Sequence, residues 1–317
     1  MQEVVDLTIA FYKRNYIEGL FLSSGIVRDA DHTMEQLLLV AKTLRREHGF
    51  EGYIHLKTIP EASPWLIEQA GLWADRLSIN LELPTEASLR RLAPEKDAAS
   101  IGRAMGRMRE RIDEARAEGR RFSPAGQSTQ LVVGADAASD ETVLRKSASL
   151  YRDYDLKRIY YSGFSPIPDA SRALPATAPP LRREHRLYQA DWLMRNYAFA
   201  IDEVAAATDG GMLPLDIDPK LAWALKFRAN FPVDVNRASK EMLLRVPGLG
   251  TKAVDRIVAS RRWRRLRLDD VARLTLSIAK VRPFISALDW KPTLLTDRAD
   301  LRTLVAPREQ QLELFAA

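Results

Sequence analysis

Residues 246–262, VPGLGTKAVDRIVASRR, join two glycines, two positions apart, to a threonine, a lysine and an amphipathic basic run. Glycine accepts positive φ and has no Cβ to hold a ligand away from the backbone. Gly248, Leu249 and Gly250 can therefore present bare N–H groups where a helix begins, and a helix N-terminus favours an anion. Lys252 adds a charge beside them. Two helices must flank such a turn. One is expected from about Ser239 to Val246, capped by Asn236 or Ser239. The other should open at Thr251, whose hydroxyl can cap it, and carry Ala253, Val254, Ile257 and Val258 on one apolar face. The chemistry is capture of a phosphate by main-chain amides; the alternative is a plain corner between two helices.

Charge supports the first reading. From Lys226 to Lys291 there are 16 Lys/Arg against 6 Asp/Glu, a net of +10, whereas the rest of the chain holds 32 basic and 36 acidic residues, a net of −4. A cationic patch on a nearly neutral body is the footprint of a polyanion site, with a solvated charged face as the alternative. Arg261, Arg262, Arg264, Arg265 and Arg267 surround Trp263 inside this patch, adding candidate phosphate contacts; Trp263 itself fits a core position equally well. The patch also repeats. At an offset of 28 residues LRVPGLGTKAV (244–254) lies over ARLTLSIAKVR (272–282), pairing Arg245 with Arg273 and Lys252 with Lys280. Leu276 and Ile278 replace the glycines, so the second copy is expected to pack rather than grip.

Ahead of this region the chain alternates. A helix over 1–16 precedes strand-like GLFLSSG (19–25), a helix over 32–49, strand GYIHLKTIP (52–60), and a short helix from Ser63 and Pro64. There follow β-rich DRLSINLEL (75–83), a long basic helix over 100–120, strand STQLVVGA (128–135), a helix over 139–154 and strand KRIYYSGFSPIP (157–168). Five strand–helix alternations imply an α/β fold with a parallel sheet, either doubly wound or an incomplete (β/α) barrel. The expected organisation is a partial βα-barrel over 1–168 and a proline-rich strap and aromatic helix (183–208) over 169–225. A small all-α basic domain over 226–291 and a tail over 292–317 follow.

Several classes are excluded. The chain has no cysteine, so it forms no disulfide, thiolate metal site or iron–sulfur ligation of its own. The N-terminus is acidic at once and unlike a signal peptide, and no apolar run is long enough for a membrane span, so a cytoplasmic protein is expected. His32, His48, His55 and His185 are scattered without metal-ligand spacing. Asp136, Asp140 and Glu141 are candidate acids but serve more simply to cap the next helix. No catalytic residue or metal site can be named.

LLRVPGLGTKAVDRI resembles the helix-hairpin-helix motif, which grips a DNA phosphate through hairpin amides without reading sequence. FYKRNYIEGLFLSSG, SINLELPTEASLRRLAPEKD and YYSGFSPIP, followed by that motif, resemble the DNA modification/repair radical S-adenosylmethionine proteins over nearly the whole chain. The resemblance implies a partial barrel of the radical S-adenosylmethionine type and S-adenosylmethionine and a [4Fe–4S] cluster as cofactors. Ser23, Ser24 and Gly25 would hold the aminoacyl end of the first, with Lys57 at the next strand end. Asn80 and Glu82 would contact its ribose or amino group, Gln130 and Gly134 would lie under the adenosine, and Ser162 would stand on the last strand. For each, ordinary barrel lining is the alternative. The family's cluster is held by a C-x-x-x-C-x-x-C loop after a first strand, and neither is present here. The expectation is a truncated product, a mis-set start or a degenerate paralogue with an exposed sheet edge, unable to bind the cluster. The two functions in view are a DNA-directed radical enzyme of modification or repair, inactive in this form, and a non-enzymatic DNA-binding adaptor on a relic barrel. Double-stranded DNA is the expected partner. The tail segment QLELF, with Gln311, Leu312, Leu314 and Phe315, resembles the peptide by which repair and replication proteins dock on the bacterial sliding clamp. Its alternative is a short helix folded back on its own domain.

Overall fold

The structure, a computed structural model, describes residues 1–168 and 171–306. The chain divides into two compact units, one of residues 1–138 and 145–179, the other of residues 139–144 and 180–317.

The first unit begins with α1 (Gln2–Lys13), β1 (Gly19–Leu22), α2 (Ala30–Arg46), β2 (Tyr53–Lys57), α3 (Pro64–Trp73) and β3 (Arg76–Ser78). It continues with α4 (Glu86–Leu92), α5 (Ala98–Ala117), β4 (Gln127–Val133), α6 (Asp140–Tyr154), whose first turn belongs to the second unit, and β5 (Arg158–Gly163). The five strands are parallel and lie in chain order, β1 to β5, in a sheet curled as half a barrel. That order follows from βα connectivity: each helix returns the chain to start a strand beside the last. Side chains alternate between the two faces. Ile54, Leu56, Leu77, Leu131, Val133, Ile159 and Tyr161 are buried on one face. His55, Lys57, Arg76, Ser78, Ser128, Gln130 and Tyr160 share the other, as the register His55↔Arg76, Lys57↔Ser78↔Ser128 and Gln130↔Tyr160 requires. One face is thus core and the other polar.

Local signals set the helix ends. Asp29 accepts the His32 amide at the start of α2, and Asp97 accepts those of Ala99 and Ser100 at the start of α5. Ser63 and Pro64 open α3 as expected, although the Ser63 side chain makes no capping bond. The short α4, capped by Thr85, is not anticipated by its sequence pattern because only Leu89 on it is buried. β1 has a single neighbour, and Phe21, Ile26 and Val27 in and beyond it are exposed.

The second unit corrects one expectation. Residues 183–208 form two helices, α7 (Leu181–Asn196) and α8 (Ile201–Ala206), rather than one. Between them Ala198 takes φ of +55°, which turns Phe199 inward to 4% exposure, and the Ala200 amide is capped by the Glu203 carboxylate at 2.9 Å. α9 (Pro219–Lys226) follows, capped by Asp218. β6 (Val233–Asp234) and β7 (Ile285–Ser286) pair in parallel and bracket four helices, α10 (Lys240–Arg245), α11 (Thr251–Ser260), α12 (Leu268–Leu274) and α13 (Ile278–Val281). α14 (Leu301–Val305) is the last helix among the described residues. α10 and α12 begin at the 28-residue offset seen in the sequence, but Pro283 in a 3₁₀ turn shortens the second copy's second helix. Phe199, Trp223, Phe231 and Phe284 meet edge-to-face in the core of this unit. No helix among the described residues is long and apolar enough to cross a membrane.

Candidate functional site

The turn between α10 and α11 is tightly specified. The Leu249 amide donates to the Val246 carbonyl at 3.2 Å, Pro247 occupies the second position and Gly248 the third with φ of +84°. This is the signature of a type II β-turn, which needs glycine at its third position. A Cβ on Gly248 would also stand 2.8 Å from Val281 Cγ2, so the glycine lets this hairpin pack against the second copy. Gly250 differs. It is the N-cap of α11, with φ of −85° and ψ of 166°, a conformation open to any residue. The nearest atom to a Cβ there is the Tyr197 hydroxyl at 3.7 Å, an ordinary contact. The fold needs a glycine at 248 and does not need one at 250.

Helix α10 is capped by Ser239, whose hydroxyl accepts the Met242 amide, whereas Asn236 bonds the main chain of Leu266 instead. Thr251 is the first residue of α11 and makes no capping bond. Among the described residues, nothing accepts the amides of Gly248 and Gly250, and the first N–H groups of α11 have no intrahelical partner. Val254 and Ile257 are buried, and Lys240 pairs with Asp255 across the hairpin at 2.6 Å. Leu249 is 1% exposed and both its main-chain groups are engaged, the amide by Val246 and the carbonyl by Lys220, so it anchors the turn.

The arginines divide into two groups. Arg261 holds the carbonyls of Val235 and Ala238 at 3.1 and 2.7 Å, and Arg264 forms a two-bond pair with Asp270. These are structural engagements. Lys252, Arg262 and Arg265 are exposed and make no ion pair or side-chain hydrogen bond among the described residues. Trp263 lies at the surface, 90% exposed, rather than in the core, and Leu276 at the tip of the second hairpin is wholly exposed.

Behind the turn, Arg245 is buried among charges and rings. It donates to both Glu203 oxygens at 2.8 and 2.7 Å and stands 4.8 Å from the centre of Phe199. Burial works to raise the Glu203 pKa, but the hydrogen bonds from Arg245 and the Ala200 amide outweigh it and hold the carboxylate below its ordinary value.

In the first unit the nine residues expected at strand ends fall into separate places. Lys57, Asn80, Glu82 and Gln130 come together on the polar face. Glu82 Oε1 lies 3.0 Å from Lys96 Nζ and 3.8 Å from Lys57 Nζ, and Asn80 bonds Gln130 at 3.3 Å. Glu82 adopts φ of +67°, a strained conformation for glutamate, secured because its N–H and C=O bridge to Gln130 and Val132 on β4. Burial lowers the Lys57 pKa, against the pull of Glu82, and Lys96 lowers it further. Burial also lowers His55 to about 4, keeping its ring neutral at 3.4 Å from Ser128. Arg76 Nε and Ser78 Oγ are buried on this face with no hydrogen-bond partner among the described residues. Lys96, His55, Arg76 and Ser78 were not apparent as site residues, since nothing in their spacing marks them.

Ser23 and Ser24 instead line a cleft of about 400 Å³ with Leu22, Val27, His32 and Gln36, and Gly25 lies beside it in open space. Gly134 has φ of +81° and Pro179 stands 2.9 Å from where its Cβ would be, so the strap fills that place. Ser162 lies near the end of β5, partly exposed. Ser139, not one of the candidate acids, caps α6, its hydroxyl accepting the Thr142 amide at 3.2 Å; Asp140 is fully buried, accepting Arg183 at 2.7 Å and the Leu213 amide at 3.0 Å, and Asp136 Oδ1 takes the Ala138 amide at 3.1 Å. Among the described residues no His, Asp and Glu group could hold a metal, and with no cysteine in the chain a [4Fe–4S] cluster cannot be bound. Gln311, Leu312, Leu314 and Phe315 lie outside the described residues. No protein-family model matches the chain, and no curated protein matches it.

Proposed function

We propose that the chain binds the backbone of double-stranded DNA through the α10–α11 turn, as a helix-hairpin-helix module does, without reading base sequence. The carrying observation is Gly250: a glycine that neither conformation nor packing requires, beside unpartnered amides at the start of α11. Space held open at an amide-rich helix start suits a phosphate. Lys252, Arg262 and Arg265 supply the accompanying charge.

The reading favoured for the whole chain is a DNA-binding adaptor. A radical reaction of its own would need thiolate ligands, which no residue here supplies, and no step is derived through a cluster. A second reading concerns the polar sheet face, where strained Glu82 and the unpartnered Arg76 Nε and Ser78 Oγ support a site for a small polar molecule. S-adenosylmethionine fits it in part. Lys57 would meet its carboxylate, but Glu82 meets an amine only after releasing a lysine. Equilibrium dialysis with labelled S-adenosylmethionine tests this, and absence of saturable binding rules it out.

The DNA reading is tested by fluorescence anisotropy of the full chain with duplexes of unrelated sequence. Affinities should agree between duplexes and fall with salt, with a log–log slope of about −0.9 per phosphate neutralised. Lys252→Glu and Arg262→Glu should each weaken binding and flatten that slope. Unchanged affinity in both variants rejects the proposal.

A further inference from the structure

Lys220 lies in the first turn of α9, directly after Pro219, and is 7% exposed. Its ammonium donates to the Leu249 carbonyl at 2.6 Å and sits 4.7 Å from the centre of the Tyr197 ring. The Leu249–Gly250 peptide is trans, so its N–H points opposite to its C=O. A carbonyl drawn inward onto a buried ammonium therefore turns the Gly250 N–H outward, where no acceptor among the described residues meets it. An apolar side chain of equal length would fill the same space without desolvating a charge, but could not hold that carbonyl.

We propose that Lys220 is the positioning residue of the phosphate seat: it latches the Leu249 carbonyl, aims the Gly250 amide at the DNA backbone and keeps a positive charge behind it. This rests on the DNA-backbone reading given above. The charge is adjustable. Burial pushes the Lys220 pKa down to about 7, Asp218 at the head of α9 pulls it up, and Arg245 pushes it down. Glu203 of α8 and Glu241 of α10 in turn pair with Arg245, and the Tyr197 ring faces the ammonium after α7. A phosphate at the seat favours the protonated amine, so binding takes up a proton and weakens as pH rises through neutrality.

The test uses the full chain with Lys220→Met, which removes donor and charge, and Lys220→Gln, which keeps a donor without charge. Circular dichroism establishes that each folds. Duplex affinity is measured by anisotropy from about pH 6 to about pH 9, and the Gly250 amide resonance is followed over the same range without DNA. Lys220→Met should bind about tenfold more weakly or worse at low pH, the scale of one hydrogen bond to a charged group. Lys220→Gln should lose less, and neither variant should keep the wild-type pH dependence. In the wild type the Gly250 resonance should move with a midpoint near neutrality and in Lys220→Met it should not. A folded Lys220→Met with wild-type affinity and pH profile, or an unaltered Gly250 resonance, overturns the latch. Failure of the DNA reading looks different: the wild type then does not bind, or ignores Lys252→Glu, while the Gly250 resonance still reports on Lys220.

Discussion

Replacing Gly250 by serine should separate what the fold needs from what the ligand needs. Gly250 has φ of −85° and ψ of 166°, and the nearest atom to a new Cβ is the Tyr197 hydroxyl at 3.7 Å. Serine is a better N-cap than glycine by a few tenths of a kcal/mol and also loses less chain entropy on folding, so Gly250→Ser should stabilise by roughly 0.5 kcal/mol. The same hydroxyl turns onto the Lys252 or Ala253 amide and stands before the seat. It removes at least one hydrogen bond to a charged phosphate, worth about 1.5–3 kcal/mol, which is roughly a tenfold to hundredfold weaker complex. Gly248→Ala should do the reverse. Its φ of +84° and the 2.8 Å approach to Val281 Cγ2 set a left-handed penalty of about 1–2 kcal/mol beside an overpacking penalty of about 1–3 kcal/mol. Urea denaturation gives the first quantity and anisotropy with a duplex the second. A Gly250→Ser protein as stable as the wild type that binds DNA equally well would refute the reasoning.

Lys220 should also govern stability against pH. Its folded pKa of about 7 lies below the ordinary 10.5, so between these values the unfolded chain holds a proton that the folded one has released. Unfolding free energy should therefore rise with pH across that window, by up to about 1.4 kcal/mol per pH unit, and Lys220→Met should flatten the rise in denaturation series. Glu203→Gln leaves the buried Arg245 guanidinium with only the exposed Glu241 carboxylate, at 3.3 Å, among the described residues and should destabilise by about 3 kcal/mol, the low end for a broken buried pair. Because the Glu203 pKa is lowered, this contribution is present above the ordinary carboxylate range and lost in acid as pH falls through the folded value, which an acid denaturation curve of wild type and variant compares. Anaerobic iron–sulfide reconstitution should leave the chain colourless; visible absorbance with stoichiometric iron contradicts this. A labelled peptide of residues 308–317 should bind a bacterial sliding clamp with micromolar affinity and lose it on Leu314→Ala or Phe315→Ala, as fluorescence titration will show.

The parallel sheet is legible because its strands are short apolar runs separated by helices, one of them opened by Ser63 and Pro64. The repeat behind α10 and α12 is legible because the 28-residue offset aligns charged and apolar positions together. The break between α7 and α8 is hidden, since Tyr197 to Ala200 contains neither glycine nor proline and turns only because Phe199 finds a place in the core. The roles within the arginine cluster are equally hidden. Arg261 and Arg262 are neighbours of one type, yet one holds two carbonyls and the other faces solvent, a difference set by β6 and the loop after it. Lys220 looks like any basic residue at the start of a helix. Only packing shows that it is buried and which carbonyl it meets. On the polar sheet face, Lys57, Asn80, Glu82 and Gln130 follow from strand ends, whereas Lys96 reaches Glu82 from beyond α4, a contact no periodicity announces.

The two-residue ladder between β6 and β7 gives the helical repeat the topology of a cassette. Val233 faces Ile285 and Asp234 faces Ser286, so the entry and exit of the repeat lie one strand spacing apart, about 4.8 Å. A segment whose ends nearly touch can be grafted into a surface loop of another protein with little disturbance of the host. The graft would carry the glycine turn, Lys252 and the free arginines. It would leave behind Lys220, Tyr197 and Glu203, which lie upstream of β6. Arg245 of α10 would lose its Glu203 partner and Phe284 its Phe231 contact, and the orientation of the Leu249–Gly250 peptide would stay with the parent chain.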